Sequence, residues 1–221
     1  MKTGPMGDRD PAALLPADAP RSRRDADAAT ALARAAAAGD ARSARELLEL
    51  VAPRVVRAVR AVMGSAHADI DDATQLALIG FIQALPTFRA ECPPVQFAAR
   101  IAVRTAAAVR RRASARRVGH DPSVDVDSIL VAPEEIDATR RREAIRALLD
   151  DLPEEQAEAL ALRIMLGWSL KEIAAATGTP LNTVRSRMRL AKEGLRKRIA
   201  ADPRLAAALD AADGAEGAEE R

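Results

Sequence analysis

Apolar residues recur along this chain at intervals of three and four, the period of an amphipathic helix, and no stretch alternates as a strand does. An alanine-rich run over 28–38 predicts the first helix, which Gly39 and Asp40 interrupt. A second is predicted over 41–51, and Pro53 opens another that continues to about Met63 through Val55, Val56, Val59 and Val62. After a turn at 64–68, residues 69–85 carry Ile70, Ala73, Leu76, Ala77, Ile79, Phe81 and Leu85 at helical spacing, and Pro86 closes the pattern. The next segment, TFRAECPPVQ at 87–96, has paired prolines and no period, so it reads as a loop. Residues 97–115 form a long helix with an apolar first half and Arg110, Arg111 and Arg112 near its end.

The pattern then breaks. Residues 119–137 are acidic, rich in turn formers and aperiodic, which marks a linker; helical spacing resumes at about Ala138 and lasts to Ala200. The expected fold is therefore all-α: two helical domains, 28–118 and 138–200, joined by a flexible acidic linker at 119–137. A flexible N-terminal arm, 1–27, is rich in Pro, Asp and Arg, and a small acidic tail covers 201–221.

One stretch of the second domain, GWSLKEIAAATGTPLNTVRSRMRLAKEGLRKRI, carries specific chemistry. Ser169 and Glu172 have the spacing of a capping box, in which hydroxyl and carboxylate satisfy each other's orphan backbone N–H groups. Leu170, Ile173 and Ala174 give an apolar face, and Gly178 supplies the left-handed residue that ends a helix. Thr179 then reads as a cap for a second helix with Pro180 in its first position. Two short helices joined by a glycine turn are a helix-turn-helix. In the second helix Leu181, Val184, Met188 and Leu195 share one side, which leaves Asn182, Thr183, Arg185, Ser186, Arg187, Arg189 and Lys192 to face outward. Groove-reading helices present such residues, the first to base edges and the cations to phosphates.

Charge supports a polyanionic partner. The formal net charge is only +2, yet residues 53–118 hold eleven Arg against four acids, while the tail after Ala200 is acidic. Other classes are disfavoured. Cys92 is the only cysteine and His67 and His120 are far apart, so neither a disulfide framework nor a metal site is expected. Asp71 and Asp72 are neighbours on a helix and diverge by about 100°. No phosphate-binding glycine loop or nucleophile elbow is present, so the chain does not read as an enzyme and no cofactor is expected. Nothing reads as a signal peptide or a membrane span, which points to a cytoplasmic protein with no membrane partner.

A basic helical domain, an acidic linker and a helix-turn-helix domain together resemble the sigma-70 family of bacterial sigma factors, most of all its extracytoplasmic-function (ECF) group. The matching residues are GDARSARELLELVAPRVVRAVRAVMG, DIDDATQLALIGFIQALPTFR, FAARIAVR and LPEEQAEALALRIMLGWSLKEIAAATGTPLNTVRSRMRLAKEGLRKRI, about 39–112 and 152–199. Leu76 follows Gln75 where the family usually has an acidic residue, and Phe97 replaces its usual tryptophan. The resemblance implies a factor that binds core RNA polymerase and promoter DNA, with room for an anti-sigma protein as a further partner. By position, Asp72, Gln75, Ile79 and Phe81 would dock on the polymerase. The 87–96 loop with Phe88 would capture a flipped base of the minus-ten element, and Arg100, Arg104, Arg110 and Arg111 would follow the DNA backbone. The last helix would read the minus-thirty-five element, and the acidic linker would enter the polymerase's RNA channels. Two other readings stay open: a stand-alone helix-turn-helix regulator, and an interaction module that sequesters a partner and binds DNA weakly.

Overall fold

The computed structural model describes residues 23–117 and 145–201. Among them all regular structure is helical: α1 (Arg23–Ala37), α2 (Ala41–Met63), α3 (Ile70–Ala84), α4 (Pro94–Arg117), α5 (145–150), α6 (Glu154–Ile164), α7 (Leu170–Thr177) and α8 (Leu181–Ala201), with one 3-10 turn, Leu85–Thr87, after α3. The expected linker at 119–137, most of the N-terminal arm and the tail after Ala201 lie outside the described residues. The part of the arm that is described does not stay irregular, since α1 begins at Arg23.

Local chemistry sets several boundaries. Gly39, at φ +97°, turns the chain out of α1. Asp40 then caps α2, its carboxylate accepting from the backbone N–H groups of Arg42 and Ser43 at 3.3 and 3.1 Å. The Ser43 hydroxyl also donates to Asp40, and chiefly this bond holds the carboxyl below its ordinary pKa.

The proline at position 53 departs from expectation. It does not begin a new helix but lies inside one continuous α2. Leu47 and Val51 before it and Val55, Val59 and Val62 after it bury against one core, while Pro53 itself is exposed. Its ring removes one helical hydrogen bond on the solvent side, where that loss costs least, and packing on the inner face outweighs it. The Pro93-Pro94 pair misleads in the opposite sense. The Pro93 carbonyl accepts from Gln96 and Phe97 at 2.9 and 3.1 Å, so α4 starts three residues before the predicted Phe97 and the loop ahead of it shortens to 88–93. Proline is favoured in a first helical turn because its missing N–H has no partner there in any case.

Helix α4 organises the molecule. Its fully buried Ala98, Ala99, Ala102 and Ala106 let it approach α2 and α3 closely, and α6 and α7 pack against it from the other half of the chain. In that half Leu149, Leu152, Leu160, Leu162, Trp168, Ile173, Val184 and Met188 form the core. Gly194 allows α8 to pass Leu152, whose Cδ2 would lie 2.9 Å from a side-chain carbon at that position.

Candidate nucleic-acid interface

The helix-turn-helix is built as its local sequence requires. Glu172 N donates to Ser169 Oγ at 3.2 Å, and Ser169 N donates to Glu172 Oε2 at 2.7 Å, which completes the capping box. Gly178 adopts φ +60°, and its N–H reaches the carbonyls of Ala174 and Ala175. One detail differs from expectation. Pro180, not Thr179, takes the cap position and the next helix starts at Leu181: the Pro180 carbonyl accepts from Thr183 and Val184, whereas Thr179 Oγ1 donates to the Thr177 carbonyl. Val184, Met188 and Ala191 bury the inner face of α8. Asn182, Thr183, Arg185, Ser186, Arg189 and Lys192 are all exposed on the outer one.

Arg187 does not join that exposed row. Its guanidinium turns back to Glu155 on α6, at 2.6 Å, and to Thr179 Oγ1, at 3.3 Å. Arg185 Nη1 donates to Asn182 Oδ1 at 2.9 Å, which orders two neighbouring polar groups at the start of the helix. Arg189 pairs with Glu193 one turn on, at 2.7 Å.

The arginines of α4 are engaged by the C-terminal half of the chain. Arg100 Nε lies 2.8 Å from Glu158, Arg104 Nη2 lies 2.7 Å from Glu154, and Arg110 Nε lies 2.9 Å from Asp150. Arg111 adds its positive field to Asp150, whose carboxyl is nevertheless raised above its ordinary pKa, mainly by burial. The loop before α4 is ordered by its aromatic residue. Phe88 sets its ring 5.2 Å from that of Phe97, and Phe97 in turn lies 6.2 Å from Phe81. Cys92, within this loop, is buried, and desolvation pushes its thiol up to about 11. A cavity of about 270 Å³ opens between the loop, Arg100 and the end of α7 at Ala175 to Gly178.

A second surface lies on α3. Asp72, Gln75, Leu76 and Ile79 form one exposed strip, with Leu76 49% and Ile79 45% accessible. Phe81 must be withdrawn from the docking set: it is fully buried, below Ala73 and Ala77 and against the Phe97 ring, and has no surface to offer a partner. Beside the strip, Leu48 and Ala52 of α2 and Leu78, Ile79 and Ile82 of α3 line an apolar groove of about 560 Å³. Leu50, 46% exposed, is a surface apolar residue that the periodicity argument did not select, and Leu76, which that argument placed with the core-facing residues, is exposed as well. Their signal is apolar character on the wrong side of the helix for the core.

Among the described residues no group of three or more His, Cys, Asp and Glu could hold a metal ion, and no helix is long and apolar enough to cross a membrane.

A helical unit with a basic long helix, followed by a helix-turn-helix with an exposed polar and basic face, defines a DNA-binding class of protein. The sequence comparisons narrow it. Residues 47–116 match Sigma-70 region 2, and residues 142–195 match Sigma-70, region 4. The chain is 30% identical over 145 residues to the ECF RNA polymerase sigma-E factor of Escherichia coli strain K12, a match that spans 59% of this chain and 74% of that one. It is 33% identical over 133 residues to the probable RNA polymerase sigma-C factor of Mycobacterium bovis, spanning 57% and 67%. Among solved structures it is similar to CnrH in complex with the cytosolic domain of CnrY, at 22% identity and a TM-score of 0.49, over 80% of this chain and 99% of that one. The chain belongs to the sigma-70 family of RNA polymerase sigma factors, in its ECF group.

Proposed function

We propose that this sigma factor directs core RNA polymerase to specific promoters by reading an upstream element with α8 and opening the duplex with α4 and the loop before it. The observation that carries the reading is the exposed face of α8. A capped, glycine-terminated α7 supports a helix whose Val184, Met188 and Ala191 are buried while Asn182, Thr183, Arg185 and Ser186 face outward at its start. Such residues suit base edges in a major groove, and Arg189 and Lys192 further along suit phosphates. The element read would be the minus-thirty-five sequence.

In the N-terminal half, Arg100, Arg104, Arg110 and Arg111 would follow the backbone beside the minus-ten element. Loop 88–93 would receive a base turned out of the stack, which costs a few kcal/mol to extrude. Phe88 and the polar lining of the adjoining cavity, Thr87, Arg89 and Arg100, are the groups available to recover that cost. The strip of Asp72, Gln75 and Ile79, now joined by Leu76, would dock on the polymerase, with the acidic 119–137 segment entering its RNA path. An anti-sigma protein is a further partner in this reading.

Run-off transcription with purified core polymerase on a genomic promoter pool tests it. Discrete transcripts that depend on the protein are expected. A chain that binds promoter DNA but never co-purifies with core polymerase would instead be a stand-alone regulator.

A further inference from the structure

Helix α8 ends at Ala201, on the wall of a groove that it forms with α5 and the turn before α6. Leu148, Leu152 and Leu195 give this groove of about 330 Å³ an apolar floor, and Lys197 and Arg198 give its α8 wall positive charge. Gly194 sets the depth of the floor, because a side-chain carbon there would lie 2.9 Å from Leu152 Cδ2. Arg196, Lys197 and Arg198 are consecutive and all exposed. Arg198 meets Asp151, which also lines the groove, at 2.7 Å. Both side chains are about half open, at 54% and 49%, so this pair is weak and readily exchanged for another.

The sequence that follows Ala201 has the complementary chemistry. Pro203 lacks the N–H that a straight continuation of α8 needs, so a change of direction is favoured just beyond the groove wall. Leu205 and Leu209 come next, four residues apart, the spacing that puts two side chains on one face of a helix. Apart from these two leucines the apolar residues of 202–221 are alanine, glycine and Pro203, and the segment carries six acids against two arginines. Reach is no obstacle, since four residues of extended chain span up to about 14 Å and the tether starts on the groove itself.

We propose that this groove docks the chain's own acidic tail, residues 202–221, with Leu205 and Leu209 on the leucine floor and the tail's carboxylates over Arg196, Lys197 and Arg198. Tethering favours this occupant over an external one. A short flexible link gives an effective concentration of about millimolar, so a contact with a Kd of about 0.1 mM is already mostly filled. The docked tail also lowers the positive potential at the end of α8. Only that consequence rests on the reading of α8 as a DNA-facing helix; the docking itself does not.

Hydrogen–deuterium exchange of the full chain, followed by mass spectrometry over 145–152 and 190–201, tests the docking. Both segments should exchange about five- to tenfold more slowly than in Leu205→Ser with Leu209→Ser or in a chain ended at Ala201. A synthetic peptide of residues 202–221, added at about millimolar concentration, should restore slow exchange to the shortened chain, and the same peptide with both leucines replaced by serine should not. The substitutions lie outside the described core, and circular dichroism checks that each variant is folded. Equal exchange in the full chain and the folded double variant overturns the docking. Protection that disappears on dilution assigns the groove to a second copy of the chain, and protection that appears only with core polymerase assigns it to that partner; either result overturns it too.

A fluorescein-labelled duplex of random sequence then reads the consequence. At 0.1 M salt the chain ended at Ala201 should bind up to about tenfold more tightly for each cation uncovered, with a salt dependence steeper by about one counterion. Faster exchange with no gain in DNA affinity supports the docking and removes the last turn of α8 from the DNA surface, which separates failure of that reading from failure of the docked tail.

Discussion

Phe88 and Phe97 hold their rings 5.2 Å apart at a tilt of 45°, so the aromatic side chain of the loop before α4 is anchored to the helix that follows it. Phe97 also meets Phe81 of α3, which makes Phe88 the outermost ring of a three-ring stack tying the loop to the core. An aromatic pair of this kind contributes about 0.5–1.5 kcal/mol beyond the burial of its surface.

This geometry separates a structural from a DNA-contacting use of Phe88. Phe88→Leu keeps most of the burial and should cost about 1 kcal/mol of stability or less, consistent with loss of the ring pair alone. If the ring also supports an extruded base, the same variant should leave closed-complex formation intact and reduce permanganate reactivity of promoter thymines. Normal reactivity would confine Phe88 to holding the loop.

Cys92 should behave as a concealed thiol. With its pKa pushed up to about 11 by burial, only about one molecule in a thousand carries the thiolate at pH 8, so alkylation of the folded protein should be far slower than that of a free thiol. The folded state holds this proton more tightly than the unfolded chain does. Its contribution to stability is therefore complete below the ordinary thiol range and is lost as pH rises from about 9 towards 11. Cys92→Ser should remove that part of the alkaline loss, as read from urea midpoints between neutral and alkaline pH.

The turn of the helix-turn-helix offers a test of backbone conformation alone. Nothing lies within 4 Å of a side-chain carbon placed on Gly178, so its φ of +60° is the sole obstacle to substitution. Gly178→Ala should destabilise the fold by about 1–2 kcal/mol, and Gly178→Asn by less, since asparagine tolerates this region better. Equal midpoints for the glycine and alanine proteins would show that the turn is not conformationally demanding.

What the sequence disclosed and what it concealed divide along the range of the interactions. Asp40, the Ser169 and Glu172 box and the Gly178 stop act within four residues, so their spacing is enough to place α2 and α7. Pro53 shows the limit, because its effect on α2 depends on which side of the helix faces the core, and that is decided by α3 and α4. Phe81 and Ile79 fail to separate for a related reason: both fit a helical period, but Ala73, Ala77 and Phe81 form the buried row, while Leu76 and Ile79 form the exposed one beside it. The pairing of Arg100, Arg104 and Arg110 with acids 40 to 58 residues away has no local trace at all. An acidic run and a basic helix can both be read from the chain, but their meeting belongs to the tertiary fold.

The exposed row on α3 predicts how polymerase is bound. Leu76→Ser with Ile79→Ser removes two side chains that are about half exposed, at 49% and 45%, so helical content and thermal midpoint should change little. If these residues anchor the docking surface, competition against another sigma factor for core polymerase should weaken by about tenfold or more. Asp72→Arg with Gln75→Ala should weaken it as well. Phe81→Ala should act differently, unfolding the domain rather than selectively reducing affinity, because its ring fills the core and its loss costs about 3–5 kcal/mol.

The exposed start of α8 should carry base preference and its later turns general affinity. Arg185 is exposed and held beside Asn182, so Arg185→Ala should cost about 1–3 kcal/mol and relax preference at particular upstream bases, as the loss of a groove contact does. Lys192 lies about two turns further along and is exposed, so Lys192→Ala should weaken every promoter alike and lower the salt dependence by about one released counterion. Arg187 is the informative third case. Its guanidinium is committed to Glu155 and Thr179, so it can reach DNA only by leaving them. Glu155→Gln frees it without altering α8, and a basic group returned to the surface should strengthen binding and steepen the salt dependence, while Arg187→Ala in the same background reverses both changes. Affinities of the full chain with core polymerase, measured across single-base promoter variants at several salt concentrations, distinguish the three roles. If Arg185→Ala leaves base preference untouched and Lys192→Ala leaves the salt slope untouched, the polar face of α8 is a solvated surface and does not enter the groove.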